Sequence, residues 1–575
     1  MAAGSDAGVS ATGRTGADVV AEALADIGCT HAFGMPGGEV LALLDALTRA
    51  GIAFHLAKHE NAAGFMAEGV WHAQAREGRA GEAPPGILLA TLGPGVANAV
   101  NVIANAWQDR VPLIVLTGSV NDDVAATYTH QVFDHLALLR PVTKAVFRAS
   151  AGAVAVTMEK AIQAAMEGQP GPVLVDVPIG VAEGACDEAV RPQQPPCPVI
   201  SYHSLDVELT KAMANAERPL VIAGVDALNA SGAVMSLCSG MKMPLITTYK
   251  AKGLVGSSGE DSLVALGLPP LVDAIRLGGH GLSPKSDRII LPLVKSADLV
   301  VLVGYDPIEM RIGWREPFAD DAMVIEFTPV IRDHGMHRTD VTVLGDIERN
   351  LIDMLNLWDL EKEGDRSLKL RPSWPDGEPA SAYEALTTAF APPPGWNAHR
   401  VFATLREIAP DETVVTADSG AHRILLSQMW ESAITRAMLQ STALCTMGCA
   451  VPLAMGHALA EPDRPVIAFV GDAGLEMGLG ELATLRDMGL PVIICVLVDG
   501  ALALIEKKQR ATQRGQVGVT FGMTDFPAVA NAMGGHGVWI DDEATLRAEA
   551  QAALTRDGFT LLACRIGERP YEGAF

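Results

Sequence analysis

The chain has 575 residues, long enough for about three domains of ordinary size. Its formal net charge of −25 argues against a nucleic-acid partner, whose phosphates require a basic surface. Hydrophobic residues make up 49% of the chain and aromatic residues 5%, which suits an α/β protein rich in alanine, valine and leucine.

The cysteines give no sign of a metal centre. All eight are scattered without the paired spacing of a zinc site, and several lie in apolar runs where cysteine acts as a small buried hydrophobe. We therefore expect a reducing, cytoplasmic setting. The sequence contains no run of about 18 apolar residues and no signal-peptide pattern, so we expect no membrane partner. Residues 1–14 are predicted to be a flexible leader.

The first predicted domain, residues 15–182, alternates helices and strands as a doubly wound parallel sheet does. One strand enters Gly34-Met35-Pro36-Gly37, and a later strand enters Gly93-Pro94-Gly95. Glu60 follows another strand and opens a helix, a place where the helix dipole alone favours an acid. Residues 183–204, which include Pro-rich sequence, are predicted to be an extended linker.

The predicted central domain, residues 205–360, repeats the alternation. Its apolar runs predict strands at 219–223, 244–247, 299–303, 323–327 and 341–344. Residues 270–292 are interpreted as an insertion of unassigned role. A second linker is predicted at 361–397, where Pro, Gly and polar residues are dense.

The third predicted domain, residues 398–575, contains the clearest chemical pattern. Apolar runs at 466–470 and 492–498 predict buried parallel strands, and residues 478–488 predict the helix that joins them. Asp472 and Asp499 come directly after these two strands, so a βαβ unit would place both acids at one edge of the sheet.

This pattern predicts a magnesium–phosphate site, although Gly-Asp pairs at strand ends also occur as plain turns. The small residues around the two acids would let backbone N–H groups approach an anion. Mg²⁺ prefers oxygen ligands and keeps few from the protein. The two carboxylates of Asp472 and Asp499 and the carbonyl of Ala501 would be enough to hold a cation that bridges phosphates.

Several motifs resemble those of thiamine-diphosphate enzymes. Gly471-Asp472-Ala473, Glu481-Leu-Ala-Thr484 and Leu490-Pro-Val resemble the diphosphate-binding signature of that family, and Phe33-Gly-Met-Pro-Gly37, His59-Glu60 and Gly93-Pro-Gly95 resemble its pyrimidine-binding domain. The resemblance covers about residues 15–570. It implies three α/β domains with doubly wound parallel sheets (pyrimidine-binding, central and diphosphate-binding), and thiamine diphosphate and Mg²⁺ as cofactors.

Two positions depart from the family pattern. The family commonly has Gly-Asp-Gly where this chain has Gly471-Asp472-Ala473, although alanine also occurs there in acetohydroxyacid synthases. The family's Asn-Asn is here Val498-Asp499. Catabolic acetolactate synthases have Asn-Asp at that place, so an aspartate ligand has precedent.

The resemblance implies specific roles near the cofactor. Glu60 would bond N1′ of the aminopyrimidine and so promote the tautomer that removes the thiazolium C2 proton. His422 would contact phosphate, with a solvated loop histidine as the alternative. Met447 would support the bent cofactor, with an ordinary core methionine as the alternative. The other residues implied to contact the cofactor are Gly34, Pro36, Gly93, Cys445, Gly471, Asp472, Ala473, Gly474, Asp499 and Ala501.

Other segments resemble particular branches of the family. His130-Gln131 through Lys144 and Gly304 through Glu309 resemble flavin-free catabolic acetolactate synthases, and Thr247 through Gly253 resembles carboxyethylarginine synthase. Gln131 would then face the reacting substrate, with a loop-ordering amide as the alternative. Because the Arg-Phe-Asp-Asp motif of flavin-dependent acetohydroxyacid synthases is missing, we expect no FAD.

The candidate substrate residues are Gly37, Leu504, Ile505 and Lys508. By the same resemblance, Lys508 matches a tryptophan in acetohydroxyacid synthases and a glutamine in catabolic acetolactate synthases. Lys508 would either offer an ammonium group to a substrate with a second anionic group or turn to solvent on its helix.

The function implied by the resemblance is decarboxylation of a 2-oxo acid, after which the resulting enamine is ligated to a second carbonyl, as in acetolactate synthases. The alternatives are a 2-oxo acid decarboxylase, an enzyme similar to carboxyethylarginine synthase with a different donor, and a non-catalytic homologue. Retention of Glu60, Asp472 and Asp499 argues against the last. The resemblance also implies a homodimer or homotetramer with sites at the subunit interface.

Overall fold

The fold is taken from a computed structural model that describes residues 13–76, 83–190, 209, 212–213, 215–254, 276–332, 334–364 and 374–575. Most of the predicted leader and parts of both predicted linkers lie outside the described residues. The described residues divide between two compact units, one within 1–71 and 81–196 and the other within 72–80 and 197–575.

The first unit is built on a six-stranded sheet in which every pair of neighbouring strands is parallel. The strand order is β2-β1-β3-β4-β6-β5. The strands are β1 (His31–Met35), β2 (Ala53–Leu56), β3 (Gly86–Ala90), β4 (Leu113–Ser119), β5 (Ala145–Arg148) and β6 (Pro172–Pro178). Its helices are Gly16–Asp26, Leu41–Arg49, Glu60–Gln74, Pro94–Asp109, Asp122–Ala125, His135–Leu139, Val154–Met166 and Ile179–Glu183.

The second unit contains the two other sheets, and the first of these is also parallel throughout. Its order is β12-β11-β10-β7-β8-β9. The strands are β7 (Pro219–Ala223), β8 (Leu245–Thr248), β9 (Arg276–His280), β10 (Leu299–Val303), β11 (Met323–Thr328) and β12 (Val341–Leu344). The accompanying helices are Ser231–Met241, Pro284–Ser296 and Ile347–Gly364.

The range 270–292 is not a simple insertion. Its described part supplies β9, which pairs with β8 at the edge of the sheet, and most of the helix Pro284–Ser296. The residues are therefore an integral part of the central sheet. The sequence pattern hid this strand because Arg276-Leu-Gly-Gly-His280 has no apolar run.

The third sheet has the order β14-β13-β15-β16-β18-β17, again all parallel. The strands are β13 (Val414–Ala417), β14 (Met438–Gln440), β15 (Val466–Gly471), β16 (Ile493–Val498), β17 (His536–Ile540) and β18 (Thr560–Arg565). The helices are Glu378–Ala389, Ala398–Ile408, Ala421–Met429, Ala450–Ala460, Asp472–Met477, Glu481–Met488, Ala503–Ala511, Phe526–Ala532 and Glu543–Ala553.

Two features of this region differ from the sequence prediction. The crossover between β15 and β16 is two helices rather than one, since Asp472–Met477 ends before Gly478 and a new helix begins at Glu481. The range predicted as the second linker contains the helix Glu378–Ala389. The proline of that helix stands in its first turn, where a missing N–H costs no hydrogen bond.

The central strands of all three sheets are buried along their whole length, as β3, β4, β10 and β16 illustrate. Parallel strands have helices on both faces, so every residue of a central strand faces other protein atoms. This explains why continuous apolar runs located these strands correctly. The prediction of three doubly wound parallel sheets is confirmed.

The strand orders determine where ligands can bind. The first and third sheets share one order, in which the direction of strand addition across the sheet reverses between β1 and β3 and between β13 and β15. Open parallel sheets bind ligands at such a reversal, outside the carboxyl ends of the strands. No helix among the described residues is long and apolar enough to cross a membrane.

Candidate functional site

The first unit brings the predicted pyrimidine-side residues to the reversal between β1 and β3. Gly34 lies near the end of β1 in close contact with β3, because a Cβ atom there would lie 2.0 Å from the carbonyl oxygen of Leu89. Gly37 is equally restricted, since its Cβ would lie 2.1 Å from Oγ1 of Thr91. Pro36, between them, is exposed. These glycines allow the loops after β1 and β3 to approach each other.

Glu60 is buried, with only 3% of its surface exposed, at the start of the helix Glu60–Gln74. Its Oε2 accepts a hydrogen bond of 3.0 Å from Nδ2 of Asn98. A Cβ atom at Gly95 would lie 3.3 Å from Oε1, so the carboxylate packs against the turn after β3. Asn98 was not predicted; its spacing from Gly95 is one helical turn, which is the signal that could have found it.

Gln131 lies against the same turn. Its backbone has a φ of 60°, a left-handed conformation that is uncommon for a residue with a side chain. Gly93 has a φ of 73°, and a Cβ atom there would lie 2.6 Å from the carbonyl oxygen of Gln131. The structure therefore places Glu60, Gly93 and Gln131 around one turn, with the Gln131 side chain exposed.

In the second unit, Asp472 joins the ends of β15 and β16. Its Oδ2 accepts hydrogen bonds from the backbone N–H groups of Asp499 (3.1 Å) and Gly500 (2.7 Å), and its Oδ1 accepts one from Ala473 (2.9 Å). Asp499 Oδ1 accepts a bond of 3.2 Å from the N–H of Ala501. The βαβ prediction that these acids lie at one edge of the sheet is confirmed.

The electrostatic setting of the two carboxylates is unfavourable to their charged forms. Burial raises the pKa of Asp499, and the neighbouring Asp472 charge adds to the effect, bringing it to about 7. Burial also raises the pKa of Asp472, although three backbone N–H groups oppose the change. No lysine or arginine of the described residues is among the groups that shift the pKa of either acid. Such a pair is most stable when a cation binds between its members.

His422 lies in the first turn of the helix Ala421–Met429, at the reversal between β13 and β15. It is 4% exposed, and its buried Nε2 has no hydrogen-bond partner among the described residues. Burial, with a smaller contribution from Arg423, lowers its pKa to about 3, so the ring is neutral in this state. An unpaired buried ring nitrogen at a helix N-terminus is a place where an anionic oxygen would be stabilised.

A cavity of about 150 Å³ collects most of the predicted residues of the third sheet. Its volume would admit a small group such as a diphosphate. Cys445 and Lys508 do not line this cavity, and both are exposed. The predicted residues that line it are His422, Met447, Gly471, Asp472, Ala473, Gly474, Asp499, Ala501, Leu504 and Ile505.

Asp418 lies directly behind residues that line this cavity, and it was not predicted as a site residue. It is fully buried and accepts three backbone hydrogen bonds, from Gly448 (2.7 Å), Cys449 (2.7 Å) and Ala450 (2.8 Å). These bonds fix the turn that carries Met447. Gly474 is required beside it, because a Cβ atom there would lie 2.1 Å from Asp418 Oδ2. The sequence signal that could have identified Asp418 is its place directly after a strand and before Ser419-Gly420.

Tyr571 also lines the cavity, although it lies in the last residues of the chain. Burial and the charges of Asp499 and Asp472 raise its pKa well above the usual range. Lys507 holds this segment, since its Nζ donates to the carbonyl oxygens of Tyr571 (3.5 Å) and Phe575 (3.2 Å) and lies 4.1 Å from the Phe575 ring centre. Sequence patterns carried no signal for this long-range contact.

The donor set fits a magnesium ion bound together with a diphosphate. The described residues contain no group of three or more His, Cys, Asp or Glu that could hold a metal alone. A pair of carboxylates suits Mg²⁺, which takes its other ligands from phosphate and water. The small cavity, the unpaired His422 nitrogen and the uncompensated acids are therefore consistent with one anionic ligand and one cation.

Comparison with family models matches each sheet to one domain of a single family. Residues 14–138 match the thiamine pyrophosphate enzyme N-terminal TPP binding domain, 207–355 the central domain and 418–564 the C-terminal TPP binding domain. Together these matches cover well over half of the chain in the family's order.

Curated relatives agree over nearly the whole length. The chain is 28% identical to the acetolactate synthase isozyme 1 large subunit of Escherichia coli K12, covering 96% of this chain and 94% of that one. It is 29% identical to the acetolactate synthase large subunit of Parasynechococcus marenigrum, covering 97% and 88%, and 28% identical to the E. coli isozyme 3 large subunit, covering 94% and 92%.

The chain is a thiamine-diphosphate-dependent enzyme of the acetolactate synthase-like superfamily. In this enzyme the first unit contains the sheet matched to the N-terminal domain, and the second unit contains the central and C-terminal sheets. The finer resemblance to flavin-free catabolic enzymes and to carboxyethylarginine synthase stays a prediction.

In this thiamine-diphosphate enzyme, replacing Asp418 with alanine should destabilise the third sheet. The substitution leaves three buried N–H groups without an acceptor, which we expect to cost about 3 kcal/mol. Thermal unfolding monitored by circular dichroism measures the effect. Asp411→Ala is the matched control, because Asp411 is largely exposed and makes only a surface ion pair with Arg406. Equal melting temperatures for the two variants would contradict the structural role of Asp418.

Proposed function

We propose that this enzyme decarboxylates a 2-oxo acid and ligates the remaining fragment to a second carbonyl compound, using thiamine diphosphate and Mg²⁺. The observation that carries the proposal is the buried, uncompensated pair Asp472 and Asp499 at the strand ends of a sheet matched to a TPP-binding domain. The acetolactate synthase names of the relatives support the reaction class. The alternatives are simple decarboxylation and a different donor.

In this proposal the second unit holds the diphosphate end of the cofactor. Asp472, Asp499 and the Ala501 carbonyl would bind Mg²⁺, and the unpaired Nε2 of His422 would contact a phosphate oxygen. Small residues at 471, 473 and 474 leave room for the anion. The cavity's apolar wall, which includes Met447, would exclude water from the site.

In the same proposal, the first unit would supply the acid that exchanges a proton with the cofactor. When bound, thiamine diphosphate supplies the carbon nucleophile and the electron sink that decarboxylation requires. The carboxyl of Glu60 would give and take a proton at the pyrimidine nitrogen, while Asn98 keeps its Oε2 in one orientation. The exposed amide of Gln131 would donate a hydrogen bond to the carboxylate of an incoming substrate.

The other expectations remain proposals. We propose a homodimer or homotetramer in the cytoplasm, which the resemblance supports. The native mass of the purified chain would test the oligomeric state.

We also propose a central domain without FAD. The absence of the Arg-Phe-Asp-Asp motif of flavin-dependent acetohydroxyacid synthases from the sequence supports this proposal. Lys508 is exposed, which favours the alternative that it turns to solvent.

Product analysis distinguishes the proposed reaction from its alternatives. The purified enzyme is supplied with thiamine diphosphate, Mg²⁺ and each of several 2-oxo acids, and products are identified by mass spectrometry. Carboligation predicts a product whose mass equals two substrates less one CO₂. An aldehyde alone would instead indicate simple decarboxylation, and a product only with an added acceptor would indicate a different substrate pair.

Glu60→Gln should reduce kcat by roughly 10²–10⁴, because an amide cannot exchange the proton that a carboxyl group exchanges. Calorimetric affinity for thiamine diphosphate should change little. Glu543→Gln is the matched control, since Glu543 also opens a helix but lies far along the chain from this turn. If Glu60→Gln and Glu543→Gln are equally active, Glu60 is only a helix-terminal acid.

Asp472→Asn and Asp499→Asn should each weaken Mg²⁺-dependent cofactor binding by roughly 100-fold or more, because each removes an anionic ligand from a small cation. Calorimetry with thiamine diphosphate and Mg²⁺ measures the loss. Asp541→Asn provides the control, since Asp541 also comes directly after a strand of this sheet but is exposed and paired with Arg565. Unchanged binding in both site variants would place the metal elsewhere.

A further inference from the structure

A buried hydrogen-bond chain in the first unit ends at the turn that holds Glu60 and Gln131. It begins at Asp176 in β6, which is fully buried and accepts bonds of 2.8 Å from the hydroxyls of Thr117 and Ser119. Arg148 forms an ion pair with the same carboxylate. Burial raises the pKa of Asp176, but these bonds and that from His135 outweigh it, so the net pKa is lowered and the acid is ionised.

His135 links this acid to the turn. It is 4% exposed at the start of the helix His135–Leu139, with Nδ1 at 3.0 Å from Asp176 Oδ1 and Nε2 at 3.2 Å from the backbone nitrogen of Gly93. A backbone N–H can only donate, so Nε2 accepts and the ring proton must lie on Nδ1. The Phe133 ring packs edge-on against the imidazole at 4.9 Å between centres.

The Gly93 N–H lies at the point where several site groups meet. Gly93 has the left-handed φ of 73° and begins the helix Pro94–Asp109, which carries Asn98 toward Glu60. Gly93 also contacts the backbone of Gln131, and Gly95 contacts Glu60. The hydrogen bond from His135 to Gly93 therefore acts on the turn that contacts both Glu60 and Gln131.

We infer that His135 is a positioning residue, which accepts the Gly93 N–H and thereby holds the turn 93–95 against Glu60 and Gln131. This inference rests on the proposed function, in which those two residues act on cofactor and substrate. Loss of the acceptor would leave a buried N–H unpaired and let the turn move. Displacement of reacting groups by about 1 Å can reduce turnover by roughly 100-fold.

Two substitutions separate positioning from general core packing. In His135→Asn the amide nitrogen takes the place of Nδ1 and still donates to Asp176, but nothing reaches Gly93. In His135→Gln the longer amide places its oxygen near the Nε2 position and accepts from Gly93. The two side chains are similar in size and polarity, so they serve as controls for each other.

The experiment measures kcat with the best 2-oxo acid, the melting temperature, and hydrogen exchange of the peptide containing residues 91–96. We expect His135→Asn to lower kcat by about 10–100-fold and to speed exchange in this peptide, with His135→Gln close to wild type in both. Equal loss in both variants, or unchanged exchange in His135→Asn, would overturn the inference. If wild type turns over no 2-oxo acid, the proposed function fails, while the exchange comparison still decides the role of His135.

Discussion

The structure of the candidate site in the second unit depends on the hydrogen bonds that the buried carboxylate of Asp472 accepts at the ends of β15 and β16. Asp472 is held by three backbone N–H groups, two of which belong to the segment directly after β16, so it also joins the two strand ends. Asp499 completes the pair, and its pKa of about 7 reflects burial and the Asp472 charge. The proposed Mg²⁺ would neutralise both acids and so stabilise the arrangement.

Other features of the second unit serve the same pair of acids. The residues beside the acids are small, and a larger side chain at Gly474 would collide with Asp418. In the proposed function this leaves room for a phosphate to approach the backbone. Asp418 in turn fixes the turn that brings Met447 to the cavity. Tyr571 closes another side and is held there through Lys507. Each contact shapes the cavity in which we propose that the cation and the diphosphate bind.

The repeated strand order explains how the first unit offers a related site. Its sheet has the same order as the third, so the loops after β1 and β3 correspond in position to those after β13 and β15. At this place the first sheet has the buried acid Glu60 and glycine-lined turns, whereas the third sheet has the carboxylates of Asp472 and Asp499. The central sheet has a different strand order, and there Arg332 pairs with Asp306, which follows β10, and with Glu326 within β11.

The sequence was sufficient for the parts of this arrangement that depend on local pattern. Buried strands are continuous apolar runs, and an acid directly after such a strand must lie at the sheet edge, so Asp472 and Asp499 could be predicted together. Contacts between distant segments could not be, as with Asp176 and His135 or Tyr571 and the cavity. Which of two adjacent lysines faces inward depends on helix phase, and here Lys507 binds the C-terminal segment while Lys508 is exposed. The crossover helix was predicted to begin at Gly478 but begins at Glu481, because residues 478 and 480 are glycines and glycine is a poor helix former. The helix Asp472–Met477 before it was not predicted.

Locating the metal would test the role of the carboxylate pair more directly than any variant. Crystals grown with thiamine diphosphate and Mn²⁺ in place of Mg²⁺ would give an anomalous signal from the cation. We expect one strong peak per chain within coordination distance of the Asp472 and Asp499 carboxylates and the Ala501 carbonyl. A peak elsewhere, or ordered thiamine diphosphate in the cavity without any metal between these acids, would contradict the assignment.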